Sequence, residues 1–249
     1  MANHFIWHEL NTTDRDAAAR FYRAVVGWDT KPYEGGGDYR IFTMGGHDGA
    51  GLMALPEAAR PGGPYWASYL HVADVDAEAA AIKAEGGAIH VGPQDIPTVG
   101  RFAVVGDPQG AVYMILAPAP RDDVPARPPA STPGEVGWHE LHATDWRAAF
   151  DFYARYGWEK SHTFDMGAMG TYQIFGIDGT DAGGMMTSPL KPQWLPYVSV
   201  ADIDAAKAAI EANGGRIMHG PAEVPGGTFI IQGSDPQGAT FAVAGPRKR

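Results

Sequence analysis

The sequence predicts an α+β fold built from four βαβββ units, arranged as two tandem domains. Three observations carry that prediction. An internal repeat spans most of the 249 residues, short strands alternate with amphipathic helices in the same order in each copy, and the chain is apolar enough to bury a core.

The repeat is read from matched segments. Trp7-His-Glu-Leu10 recurs as Trp138-His-Glu-Leu141, and Asp14 with Phe21-Tyr22 recurs as Asp145 with Phe152-Tyr153, both 131 positions later. Val72-Ala-Asp-Val-Asp-Ala77 matches Val200-Ala-Asp-Ile-Asp-Ala205, and Asp107-Pro-Gln-Gly-Ala111 matches Asp235-Pro-Gln-Gly-Ala239, both 128 positions later. Only small loop deletions separate the copies. The spacing predicts a first domain over 1–117, a Pro-rich linker over 118–134 carrying Arg121, Asp122, Asp123 and Arg127, and a second domain over 135–249.

Within the first copy, Phe5 to Asn11 reads as a strand. Thr13 and Asp14 offer N-cap chemistry to a helix whose Ala18, Tyr22 and Val25 recur at helical spacing and which Gly27 ends. Residues 28–33, 39–44 and 50–55 read as strands parted by Gly-rich turns. A strand at 66–72 follows, then a helix capped by Asp74 or Asp76 and stopped by Gly86-Gly87. Strands at 88–91, 101–105 and 111–116 complete the copy, with Asp107-Pro-Gln-Gly110 as a turn. The second copy repeats the plan, with Asp202, Gly214-Gly215 and Asp235-Pro-Gln-Gly238 at the equivalent points. Phe21-Tyr22 and Phe152-Tyr153 sit at core spacing on their helices.

Composition removes several functions. Nineteen Lys and Arg against 29 Asp and Glu give a net charge of −10, the wrong sign for a phosphate backbone, and the one basic cluster is Arg247-Lys248-Arg249. The absence of cysteine excludes disulfides, thiolate nucleophiles and Cys-bound zinc. No apolar run approaches the roughly 20 residues of a membrane span, and the start lacks a signal-peptide layout. The expectation is a cytoplasmic protein without nucleic-acid or membrane partners, whose assembly into a homo-oligomer is left open. Gly45-Gly-His-Asp-Gly49 lacks the Lys and Ser/Thr of a phosphate loop, and no Gly-x-Ser-x-Gly elbow occurs.

The order and spacing of these segments, twice in one chain, resemble the vicinal oxygen chelate superfamily of glyoxalases, bleomycin-resistance proteins and extradiol dioxygenases. That resemblance implies that paired βαβββ units curl into open cup-shaped sheets holding a small molecule. In metal-dependent members the first, fourth, fifth and eighth strands supply His, Gln or Glu to a divalent cation. The matching positions here are Trp7, Met53, Ala67 and Met114, and in the second copy Trp138, Met186, Leu195 and Ala242. None is a usual ligand of a hard cation, so no metal and no other cofactor is expected. His8 and His139 each stand one residue from an expected ligand, which on a strand places them on the opposite face.

With Trp7 facing the cup, alternation brings Glu9 and Asn11 beside it, Tyr69 and His71 from the fifth strand, and Met114 from the eighth. The second cup takes Trp138, Glu140, His142, Tyr197 and Ser199. Apolar walls with a few polar groups suit a small-molecule pocket. The leading expectation is a metal-independent member that binds a small apolar or aromatic molecule. The alternatives are a glyoxalase-like lyase or isomerase with Glu9 or Glu140 as general base and His71 or His142 assisting, a metal-dependent enzyme of the same superfamily, and a self-associating interaction module.

Overall fold

The computed structural model describes residues 3–120 and 128–248. The middle of the predicted linker, with Arg121, Asp122, Asp123 and Arg127, lies outside the described residues, as does Arg249.

The first half runs β1 (Phe5–Thr12), α1 (Arg15–Val26), β2 (Asp29–Pro32), β3 (Arg40–Met44), β4 (His47–Ala54), β5 (Tyr65–His71), α2 (Val75–Ala84), β6 (Ala88–Ile96), β7 (Gly100–Gly106) and β8 (Val112–Pro118). The second runs β9 (Val136–Ala143), α3 (Trp146–Tyr153), β10 (Glu159–Asp165), β11 (Thr171–Ile177), β12 (Thr180–Thr187), β13 (Gln193–Ser199), α4 (Ile203–Ala212), β14 (Arg216–Val224), β15 (Thr228–Ser234) and β16 (Thr240–Gly245). These are four βαβββ units in the predicted order. They form two curled eight-stranded sheets, ordered β2-β3-β4-β1-β5-β8-β7-β6 and β10-β11-β12-β9-β13-β16-β15-β14.

Local chemistry explains the helices. Asp14, Asp74, Asp145 and Asp202 are the N-caps, each accepting a backbone N–H of the first turn through its side chain. Gly27 closes α1 in the left-handed region, with φ 80°. Strand β6 runs five residues beyond its predicted end, through Gly92-Pro93. As a sheet edge it has one unpaired side, so the proline removes no ladder bond there, and register shifts absorb the irregularity. A 3-10 turn over Glu57–Gly62, absent from the prediction, leads into β5. Among the described residues no helix is long and apolar enough to cross a membrane.

The described residues pack as two compact units, each drawing one βαβββ from either half of the sequence. The first unit holds residues 3–6, 67–120 and 139–194. Leu70, Ile82, Tyr113, Ile115, Phe150 and Phe175 fill its core. At its centre Tyr153 stacks on Trp158 at 5.5 Å and meets Trp194 edge-on at 5.1 Å. The Tyr153 hydroxyl accepts from Trp194 Nε1 (2.9 Å) and donates to Asp107 Oδ2 (3.1 Å).

The second unit holds residues 7–66, 128–138 and 195–248, with Leu10, Phe21, Trp28, Phe42, Ile203 and Phe241 in its core. The same device recurs: the Tyr22 hydroxyl accepts from Trp66 Nε1 (2.8 Å) and donates to Asp235 Oδ2 (3.3 Å). Both aspartates therefore do more than shape a turn. Asp107 Oδ1 accepts from the backbone of Gln109 and Ala111, and Asp235 Oδ1 from Gln237 and Ala239, all at 2.9 Å. In each unit the tyrosine comes from one sequence half and the aspartate from the other. Burial pushes both carboxyls above their ordinary range, against the pull of these hydrogen bonds. The end of the Pro-rich segment is also fixed within this unit, since the Gly134 carbonyl accepts from Trp28 Nε1 at 2.9 Å.

Candidate ligand site

Strand β1 alternates as predicted along its second-unit portion. Leu10 enters the core, fully buried, and His8 is buried as well. Trp7, Glu9 and Asn11 share the other face: Asn11 Nδ2 donates to Glu9 Oε1 at 3.3 Å, and Trp7 Nε1 donates to the Tyr39 hydroxyl at 3.2 Å. Tyr39 is also hydrogen-bonded to Glu9, and its phenol is pushed far up, first by burial and then by the Glu9 charge. Tyr65 rises for the same two reasons in the same order. Glu9 itself is only 6% exposed, whereas the Trp7, Tyr39 and Tyr65 rings are half-buried.

A glycine makes room for this arrangement. Gly51 of β4 stands opposite Glu9 in the parallel pairing, and a Cβ there would lie 1.8 Å from the Tyr39 hydroxyl. The ring can reach the carboxylate because that position carries no side chain.

The first unit repeats the construction. Glu140, 5% exposed, accepts from the Tyr172 hydroxyl on Oε2 (3.0 Å) and pairs with His142 Nε2 through Oε1 (3.0 Å). Gly184 stands opposite Glu140, and a Cβ there would lie 2.2 Å from the Tyr172 ring. His142 is 4% exposed, and its Nδ1 has no hydrogen-bond partner among the described residues. His139, one residue from Glu140, stacks on Phe5 at 4.2 Å.

The remaining predicted residues divide between the units. In the first, Tyr69 and Met114 stand opposite each other in the β5–β8 pairing and both are buried. The His71 ring lies 6.1 Å from His4, and its pKa is lowered first by burial and then by His4. In the second unit Trp138 packs on Leu195, Tyr197 and Ala242, and the Tyr197 hydroxyl accepts from Gln232 Nε2 at 2.6 Å. Ser199 donates its hydroxyl to the Ala130 carbonyl at 2.8 Å, holding the Pro-rich segment. Tyr39 and Tyr172 are absent from the sequence-derived site, although the repeat marks them: Tyr39-Arg-Ile-Phe42 matches Tyr172-Gln-Ile-Phe175.

The strand positions that the family resemblance matches to metal ligands carry apolar groups here. Met53 pairs with Asn11, Met186 with His142 and Ala242 with Tyr197 across their strands. Among the described residues no three His, Asp or Glu side chains are grouped as a cation would need.

Comparison with known proteins gives a consistent family. The family described as Glyoxalase/Bleomycin resistance protein/Dioxygenase superfamily matches residues 2–115. CFP32 of Mycobacterium tuberculosis, provisionally named a glyoxylase, is 34% identical over 248 residues, covering 96% of this chain and 94% of the relative. The anthracycline biosynthesis protein DnrV of Streptomyces peucetius is 29% identical, covering 95% of this chain and 91% of DnrV. Among solved structures, the Mn(II)-bound glyoxalase from Novosphingobium aromaticivorans superimposes with a TM-score of 0.67 at 16% identity, covering 99% of this chain and 83% of that one. At that identity the likeness is one of fold.

Proposed function

Because the chain belongs to the Glyoxalase/Bleomycin resistance protein/Dioxygenase superfamily, we propose that it is a metal-independent member that binds a small apolar or aromatic molecule on its sheets. One observation supports this reading: the positions that the resemblance matches to metal ligands hold Trp7, Met53, Ala67 and Met114, and Trp138, Met186, Leu195 and Ala242. Beside them, Glu9 is held by Tyr39 and Asn11, and Glu140 by Tyr172 and His142. One carboxylate with at most one imidazole falls short of the several N or O donors that a divalent cation requires. The residues present do not fit the metal. They do fit a ligand with a flat apolar body, gripped by ring faces and oriented by a few hydrogen bonds.

The test is a thermal-shift screen of aromatic metabolites and antibiotics, run before and after treatment with a chelator. A compound that raises Tm equally in both conditions is expected, because a ligand that binds only the native state stabilises it by mass action. A purified protein carrying stoichiometric metal, or a stabilisation that chelation abolishes, overturns the reading.

The hydrogen-bonded series Tyr172–Glu140–His142 favours a second reading, a lyase or isomerase with Glu140 moving a proton and His142 assisting. On that reading Glu140→Gln lowers turnover of a responsive substrate by about 100-fold or more, as loss of a general base does, while Glu9→Gln has little effect. Equal rates in the parent and Glu140→Gln remove it.

A further inference from the structure

Two histidines of the first copy stand side by side on neighbouring strands. The His71 amide, at the end of β5, donates to the His4 carbonyl just before β1 at 2.9 Å, which fixes the two backbones against each other. Their ring centres lie 6.1 Å apart, with the planes tilted by 32°. His4 is exposed and His71 half-buried, so the pair is not sealed from solvent.

The repeat keeps the backbone bond and discards the side chains. In the places of His71 and His4, the Ser199 amide donates to the Glu135 carbonyl at 2.8 Å. There the side chains have other tasks: Ser199 binds the Ala130 carbonyl, and Glu135 pairs with His47 Nε2 at 2.6 Å. The strand connection therefore needs no imidazole.

We infer that His4 and His71 together form a binding site for a nitrogen-seeking transition metal ion, Cu(II) before Ni(II) or Zn(II). Imidazole suits these ions, and copper heads their order of affinity. With each nitrogen about 2.0–2.1 Å from a shared ion, two imidazoles have ring centres roughly 5–6 Å apart. The observed spacing is within a small ring rotation of that arrangement. Metal binding requires neutral imidazole, and the His71 pKa is already lowered, first by burial and then by His4. Water completes the coordination, so the ion is taken up when supplied and not retained through purification as a resident cofactor is. Once bound, it ties the start of β1 to the end of β5, a cross-link that the second copy lacks. Neither histidine is at a strand position matched to the family's metal ligands, and the small-molecule reading above does not depend on this site.

Titration of the purified chain with copper(II) chloride near neutral pH, followed by electron paramagnetic resonance, tests the inference. One equivalent is expected to bind with the hyperfine pattern of two imidazole nitrogens, and more tightly than Ni(II) or Zn(II) in competition. His4→Gln, at an exposed position, and His71→Ser, which carries the residue of the second copy, should each weaken binding about tenfold or more. Each should also remove one nitrogen from the pattern. A parent spectrum with fewer than two nitrogens, or an affinity that survives His4→Gln, overturns the inference and leaves the small-molecule reading standing. Should His71→Ser not fold, His4→Gln decides alone.

Discussion

Asp235→Ala is expected to lower the free energy of unfolding by about 3–5 kcal/mol in urea denaturation, whereas Asp235→Asn should cost less than half as much. The alanine variant leaves three donors without their acceptor: the buried backbone N–H of Ala239 and the buried Tyr22 hydroxyl, and the partly buried N–H of Gln237. Each unsatisfied buried group costs about 1–3 kcal/mol. Asparagine keeps a carbonyl oxygen for the two backbone donors, and its neutrality removes the cost of burying a charge. The pH dependence separates these effects. The native Asp235 carboxyl is raised above its ordinary 3.8 by burial, so below that value the native state keeps its full advantage. That advantage is lost as pH rises through the raised native value. The parent should therefore gain stability relative to Asp235→Asn as pH falls through this window. A difference between the two that does not change with pH would mean that the native carboxyl titrates as it does in the unfolded chain.

Gly51→Val is expected to weaken binding of any aromatic compound returned by the thermal screen by about tenfold or more, equivalent to roughly 1.4 kcal/mol. Its Cβ would meet the Tyr39 hydroxyl at 1.8 Å, the Tyr39 Cζ at 2.6 Å and the Glu9 Cγ at 3.2 Å. The tyrosine must swing away, taking with it the hydrogen bonds to Glu9 and Trp7. Overpacking of this kind also costs about 1–3 kcal/mol of stability. Ala54→Val, on the exposed end of the same strand, serves as the control and should leave both quantities unchanged. Unaltered affinity in Gly51→Val would place the ligand elsewhere.

The features legible in the sequence are those fixed by neighbours along the chain. Each helix begins at an aspartate that accepts its own first-turn N–H, so Asp14, Asp145 and Asp202 mark their positions without reference to the rest of the fold. Strand parity is equally local, and it separates Leu10 from Glu9 and His139 from Glu140. Other features depend on partners that sequence distance hides. Tyr22 and Asp235 are 213 positions apart, and nothing near Asp235-Pro-Gln-Gly238 distinguishes a buried acceptor from an ordinary turn residue. Gly92-Pro93 reads as a break because sequence alone does not tell an edge strand from a central one. Tyr39 and Tyr172 follow Gly-rich or turn-forming stretches, and their importance depends on the empty positions at Gly51 and Gly184 on a different strand.

The crossed tyrosine–aspartate bonds make no demand that both ends lie on one polypeptide. Tyr22 is satisfied by any copy of Asp235, and Tyr153 by any copy of Asp107. Two molecules refolding at high concentration can therefore trade halves, each closing its units with the other's modules and ending interlocked through contacts native to the single chain.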